Sequence, residues 1–293
     1  MRILDDAARR LLDRLALHVK PGATATRQGG HRSPVLASGV EFADHRAYVP
    51  GDDFRRIDWK KFAANGTLVL RQFEEERDAR IIVLLDLSGS MARGKPPKIE
   101  AGKKIGAAFA YVGMRRFDRS IVIPFGDDLE RESRPLRTAG DLPEVDRFLS
   151  ECTTGGETHF PQAVRSLAER WPKRGLVVVV SDLMKPDGFP AAFRTLGALG
   201  HELRVVHLSC EEDRHPKLDG ELELFDAESG QTLRLRMSKD LVQTYTKIVD
   251  KHVIECRDAC RRAGGRFVEI EVEASGEAML KKAFAGQQGK RAA

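Results

Sequence analysis

The sequence predicts an α/β protein built on a doubly wound, mostly parallel sheet, with an N-terminal extension and an inserted β-hairpin. Three observations carry this expectation. Five short apolar runs, over residues 81–87, 121–125, 176–183, 203–208 and 267–272, are near-continuous and rich in Val and Ile, as strands covered on both faces are. Segments with helical spacing separate them, over 98–117, 160–171, 189–199 and 240–263. Strands alternating with helices imply right-handed crossovers and hence a parallel sheet.

Taken in chain order, residues 1–77 form the extension. It begins with an amphipathic helix in which Leu4, Ala8, Leu11, Leu12, Leu15 and Val19 recur at helical spacing. Gly- and Ser-rich polar chain follows, and 67–74 reads as a strand. The core domain is expected over 78–285. Within it, 219–236 alternates apolar and charged residues on both sides of Glu228-Ser229-Gly230, the pattern of a solvent-facing hairpin. The tail 286–293 has no apolar face and is expected to be disordered.

Composition narrows the function classes. The 293 residues include 41% hydrophobic and 32% charged side chains, enough for a sizeable core and a soluble surface. The longest apolar stretches, such as 105–114 and 176–180, fall short of the ~20 residues that cross a bilayer. The start, Met1-Arg2-Ile3-Leu4-Asp5-Asp6, lacks the apolar core of a secretory signal, so a cytoplasmic location is expected. Cys152, Cys210, Cys256 and Cys260 are too few for a disulfide framework in so long a chain and are expected to be free thiols. The net charge of +5 invites a nucleic-acid reading, yet the charge is well mixed: residues 1–80 hold 15 Lys+Arg and 12 Asp+Glu. No basic arm or aromatic-basic ladder is present, so nucleic acid is not an expected partner.

The informative constellation begins where the first core strand ends, at Asp86-Leu87-Ser88-Gly89-Ser90-Met91. In an open parallel sheet, ligands bind beyond the carboxyl ends of the strands. Two more oxygen-bearing residues reach that edge: Thr158, just before a helix, and Asp182, at the end of another buried strand. Asp86, Ser88, Ser90, Thr158 and Asp182 would then converge from three loops. Hard oxygen donors of this kind suit Mg2+ (or Mn2+) and disfavour zinc, since no His or Cys joins them. Two carboxylates balance a divalent charge, and an open coordination position would attract an incoming carboxylate.

Asp86-x-Ser88-x-Ser90, then Thr158, then Asp182, resemble the metal-ion-dependent adhesion site (MIDAS) of von Willebrand factor A-like domains. The flanking sequence resembles the bacterial family called domain of unknown function 58. The residues that carry this are Glu41-Phe42, Arg46-x-Tyr48, Pro50-Gly51-Asp52-Asp53-x-Arg55-Arg56-Ile57-Asp58-Trp59, Phe73-Glu74-Glu75-Glu76, Gly155-Gly156-Glu157-Thr158, Ser181-Asp182-Leu183 and Gly220-Glu221-Leu222-Glu223-Leu224. The resemblance implies a von Willebrand A-like, Rossmann-like fold and a binding module rather than an enzyme. It also implies direct coordination by Ser88, Ser90 and Thr158, with Asp86 and Asp182 acting partly through water. In similar domains the vacant metal position is filled by an Asp or Glu of a protein partner. Family members commonly accompany a MoxR-type AAA+ ATPase, which implies an adaptor or co-chaperone role. Many relatives carry membrane helices ahead of this region; here about 35 residues precede it, without such a helix.

Rival readings use the same residues. Alone, Asp86-x-Ser88-x-Ser90 would be a polar turn capping the next helix. The loop from Gly89 to Lys95 matches the first seven positions of a phosphate-binding loop, and 176–182 imitates the second nucleotide motif, which would make the chain a nucleotide hydrolase. The eighth position should offer a Ser or Thr hydroxyl, and Pro96 stands there, followed by Pro97. An aspartyl-phosphatase reading of Asp86 lacks the second carboxylate, because Ser88 occupies its place. A hydrolase elbow around Ser88 fails because Asp86 and Ser90 replace the required glycines. An apo scaffold that has lost its metal is a further alternative. His252, Cys256 and Cys260 share a helical face with Tyr245 and Val249 and read as an apolar stripe rather than a metal or redox cluster. His31, His45, His201, His207 and His215 lack partners at ligand spacing, and His159 follows Thr158 without being assigned to the metal. The segment 50–59 reads either as a structural knot anchored by Trp59 or as a docking surface, and the sequence leaves both open.

Overall fold

A computed structural model describes residues 2–18, 40–49, 57–75, 80–115, 119–185, 188–216, 220–225 and 231–285. The tail 286–293, residues 50–56 of the segment ending at Trp59, and His31 lie outside the described residues. The elements, in chain order, are α1 (Asp6–His18), β1 (Val40–Ala47), α2 (Trp59–Asn65), β2 (Val69–Glu75), β3 (Arg80–Asp86), α3 (Lys98–Arg115), β4 (Arg119–Phe125), α4 (Leu142–Glu151), α5 (Phe160–Arg170), β5 (Leu176–Ser181), α6 (Phe189–Ala198), β6 (Glu202–Ser209), α7 (Glu211–Arg214), β7 (Gly220–Phe225), β8 (Thr232–Met237), α8 (Lys239–Arg262), β9 (Arg266–Glu271) and α9 (Gly276–Ala283). The chain divides into two compact units, one of residues 1–22 and 79–293, the other of residues 23–78.

The larger unit is an α/β domain whose central five-stranded sheet runs in the order β4-β3-β5-β6-β9, every neighbouring pair parallel. The continuous apolar runs are sorted by the pleat, since successive side chains point to opposite faces. Ile81, Val83 and Leu85 of β3 face a layer formed by α1, α3, α4 and α9. Ile82 and Leu84 face α5, α6 and the C-terminal part of α8. Helices therefore cover both faces, as the Val- and Ile-rich strands predict. The first crossover runs from β3 out to β4, while β5, β6 and β9 extend to the other side of β3. The direction of winding reverses between β3 and β5, and such a switch point leaves a crevice beyond the strand ends.

In the smaller unit, β1 and β2 pair antiparallel, with an irregularity between Phe42 and Asp44. Residues 40–47, polar chain by sequence pattern, are a strand in the structure. They form it because their backbone groups ladder with β2, whose strand character is evident in the sequence. Asp58 caps α2 by accepting from the Lys60 and Lys61 amides, each at 3.1 Å. β7 and β8 form the expected two-stranded hairpin, with Leu222 and Leu224 half-buried and Glu221 and Glu223 exposed. Among the described residues, no helix is long and apolar enough to cross a membrane.

Candidate functional site

The end of β3 places Asp86 at the switch-point crevice, and the chain then turns through Ser88 to a single 3-10 turn over Gly89–Ala92. Backbone hydrogen bonds bind this turn to the loop ahead of α5. Gly155 N donates to Leu87 O at 2.8 Å, and Gly89 N to Gly156 O at 3.2 Å. Gly156 has φ of 74°, a conformation that costs glycine little. The stapling carries Thr158 to Asp86, so residues far apart in the chain meet because two loops share backbone bonds.

Four of the five expected residues form linked contacts. Asp86 Oδ1 accepts from the Ser88 amide at 2.9 Å and from Thr158 Oγ1 at 3.1 Å. Ser88 Oγ and Ser90 Oγ lie 3.0 Å apart. Asp182, at the end of β5, joins through its charge rather than a hydrogen bond to the other four. Asp86, Ser88, Thr158 and Asp182 are buried, each at 3% exposure or less, and Ser90 is half-buried.

Two further residues belong to the arrangement and were not assigned to it from the sequence. Ser181 Oγ donates to Asp86 Oδ2 at 2.6 Å and accepts from the Leu183 amide at 2.9 Å. Lys98, the first residue of α3, is 1% exposed and sets its Nζ 2.7 Å from Asp182 Oδ2 and 2.9 Å from Asp213 Oδ2. A signal for Lys98 was available: an ammonium opening a helix opposes the helix dipole, so a lysine there needs a dedicated anion.

The electrostatics follow from burial. Removal from water, together with the Asp182 charge, pushes Asp86 up to about 6, against the bonds from Ser181 and Ser88 that favour its ionised form. Burial alone would pull Lys98 down, but Asp182 and Asp213 more than offset it and leave the ammonium firmly charged. Asp182 Oδ1 accepts from the Met184 amide at 3.2 Å, whereas Oδ2 touches Lys98 outside hydrogen-bond geometry. The next residue, Leu183, has φ of 55°, a left-handed conformation costing a bulky side chain on the order of 1–3 kcal/mol. Its carbonyl accepts from His252 Nε2–H at 2.9 Å. Lys185 and Glu157 pair across the rim at 2.9 Å.

These observations allow the donor set to be tested against a divalent cation. Neighbouring oxygens in an octahedral Mg2+ shell lie roughly 3 Å apart, given Mg–O distances of 2.0–2.1 Å, and the Ser88–Ser90 and Asp86–Thr158 pairs are 3.0 and 3.1 Å apart. Asp182 adds a buried carboxylate beside them, its Oδ2 held by the Lys98 charge rather than by a hydrogen bond. The set fits a hard cation. Among the described residues, no group of three or more His, Cys, Asp or Glu gathers to hold a metal, so any such ion would rely on hydroxyls as much as carboxylates.

The phosphate-loop residues are arranged differently from a nucleotide cradle. The amides of Gly89, Met91 and Arg93 donate to the carbonyls of Gly156, Ser88 and Ser90, Lys95 is exposed, and α3 starts only at Lys98. The thiols of Cys256 and Cys260 are buried in the apolar layer under α8, which pushes each up to about 12. All four cysteines are free.

The chain is similar to several known proteins. The uncharacterized protein Rv1480 of Mycobacterium tuberculosis is 23% identical over 271 residues, covering 88% of this chain and 83% of the relative. Among solved structures, the conserved hypothetical protein BatB from Bacteroides thetaiotaomicron is similar at a TM-score of 0.45 and 15% identity, over 71% of this chain and 98% of its own. The SpRpn10 VWA domain is similar at a TM-score of 0.43 and 10% identity, over 73% and 99% respectively. The family model described as "Protein of unknown function DUF58" matches residues 44–254, a span that takes in β2 as well as Asp86, Thr158 and Asp182, and the chain belongs to that family.

Proposed function

We propose that the protein is a non-enzymatic, metal-dependent binding module that grips a carboxylate of a protein partner through a bound divalent cation, Mg2+ or Mn2+. The observation that carries this reading is the gathering of Asp86, Ser88, Ser90 and Thr158 oxygens at the sheet's switch point, beside the buried Asp182. Ser88, Ser90 and Thr158 would hold the ion by their hydroxyls, with Asp86 and Asp182 supplying the compensating charge. When bound, such an ion offers an electrophilic corner to an incoming Asp or Glu. Ser181 and the Ser88 amide keep Asp86 oriented for this role.

The family resemblance supports a more specific setting: an adaptor or co-chaperone acting with a MoxR-type AAA+ ATPase. Against a nucleotide hydrolase stands the use of the Gly89, Met91 and Arg93 amides inside the protein, which leaves those donors unavailable to phosphates.

Thermal unfolding with Mg2+, with chelator and with ATP separates the readings. Mg2+ at a hundred times its dissociation constant is expected to stabilise the fold by about 2.7 kcal/mol, and chelator to reverse this. Stabilisation by ATP alone would support the hydrolase instead. Capture of a purified MoxR-type ATPase from the same organism should require Mg2+ and be lost in Asp86→Ala and Asp182→Ala, with circular dichroism unchanged. Equal capture by both variants would overturn metal-mediated binding.

A further inference from the structure

Lys98 stands out among the buried charges because its surroundings are costly for it. An ammonium taken out of water loses its hydration, and the first turn of an 18-residue helix adds a repulsive dipole. The compensation is specific: Nζ lies between Asp182 Oδ2 at 2.7 Å and Asp213 Oδ2 at 2.9 Å. Asp213 is itself fixed, since its Oδ2 accepts from the Cys210 amide at 3.1 Å. Lys98 is thus anchored from α7 and presented to the carboxylate that ends β5.

We propose that Lys98 is a positioning residue for the metal site, holding the Asp182 carboxylate back from direct ligation so that a bound ion keeps a corner free for a partner's carboxylate. This rests on the metal-binding reading given above and adds to it a residue that governs how the site works. Both oxygens of Asp182 are engaged, Oδ1 by the Met184 amide and Oδ2 by Lys98. Of these holds, only the Lys98 contact belongs to a side chain and can be removed by substitution. Without it, Asp182 is a buried carboxylate with one oxygen unclaimed, beside a cation that would take it. Direct ligation by Asp182 adds negative charge to the ion and fills a position. Affinity for the metal should then rise and affinity for an incoming carboxylate fall.

The test uses the full chain and Mn2+ alone, with its dissociation constant measured by electron paramagnetic resonance and its bound waters counted in 17O-enriched water. Lys98→Met is expected to tighten Mn2+ binding about tenfold, the scale on which neighbours of metal ligands act, and to lower the water count relative to the wild type. The double variant Lys98→Met/Asp213→Leu removes the lysine together with its second partner, and should show the same tightening where the single variant fails to fold. Unchanged affinity and water count in a folded variant would overturn the positioning role while leaving the metal reading intact. Failure of both variants to fold would also overturn it, by making Lys98 a requirement of the fold. Absence of Mn2+ binding in wild type and variants alike would remove the metal reading and this one together. Binding in the variants alone would overturn it as well, because a lysine that excludes the ion from the wild type does not position a metal site.

Discussion

Asp86 is the residue on which the electrostatic cost of the site concentrates. Its carboxyl titrates ordinarily near 3.8 and here at about 6, because burial and Asp182 both disfavour its charge. Between those pH values the folded chain retains a proton that the unfolded chain releases. Stability of the metal-free protein therefore falls as pH rises through this window and levels off above it, by an amount on the order of 3 kcal/mol. Asp86→Asn removes the charge and keeps an acceptor for the Ser88 amide and Thr158. Urea unfolding in chelator should place this variant above the wild type at pH 7.5 and below about pH 4 bring the two together. A wild type that is equally stable at pH 4.5 and 7.5 in chelator would contradict the argument. The same variant should lose the Mg2+ response, so stability would be gained where binding is lost, as is common for groups retained for function.

At the scale of elements, what the sequence revealed depended on whether a pattern was local. The five core strands were legible because uninterrupted Val- and Ile-rich runs such as 177–180 admit little else, and α3 because its apolar residues repeat over five turns. Asp86, Ser88, Ser90, Thr158 and Asp182 were legible because strand ends and helix starts are visible in sequence, and those residues sit at them. α4 and α9 went unassigned: each is short, and each owes its place to packing against the sheet layer rather than to its own propensity. Ser181 was missed as a member of the site, and the helix-start charge of Lys98 left its anion unnamed, because which side chain meets Asp86 or Asp182 is set by packing. Close approach between elements is equally invisible. A Cβ on Gly113 of α3 would lie 2.1 Å from Ser120 Oγ and 2.9 Å from Ile81 Cδ1, so the helix rests on β3 and β4 at a point where only hydrogen fits. Gly113→Ala should cost about 1–3 kcal/mol through overpacking, measured by urea unfolding. Its effect on Mn2+ affinity should be nil, because 15 helical residues, roughly 22 Å, separate it from Lys98.

At the scale of the whole molecule, the larger unit is assembled from two stretches of chain with the smaller unit between them. α1 belongs to the larger one by packing and by specific polar ties. Leu4 and Leu12 are fully buried in the cluster that includes α3, α4 and α9. Asp5 caps the helix through the Ala8 amide at 2.7 Å, the Ile3 amide reaches Asp146 Oδ1 at 3.3 Å, and Tyr111 Oη donates to Asp13 at 2.9 Å. If this packing is integral, α1 melts with the sheet; if it is an appendage, the sheet survives its loss. The two tryptophans fall one in each unit, Trp59 in the smaller and Trp171 in the larger, where Trp171 packs against the helix layer on the face opposite α1. In a Trp59→Phe background, fluorescence then reports the far side of the sheet from the helix. Leu12→Ala should lower the stability read by Trp171 by about 2–5 kcal/mol, the cost of a cavity at a fully buried leucine, in one cooperative transition. A Trp171 transition that Leu12→Ala leaves unmoved would show that α1 is dispensable to the sheet, and the larger unit would then begin at β3.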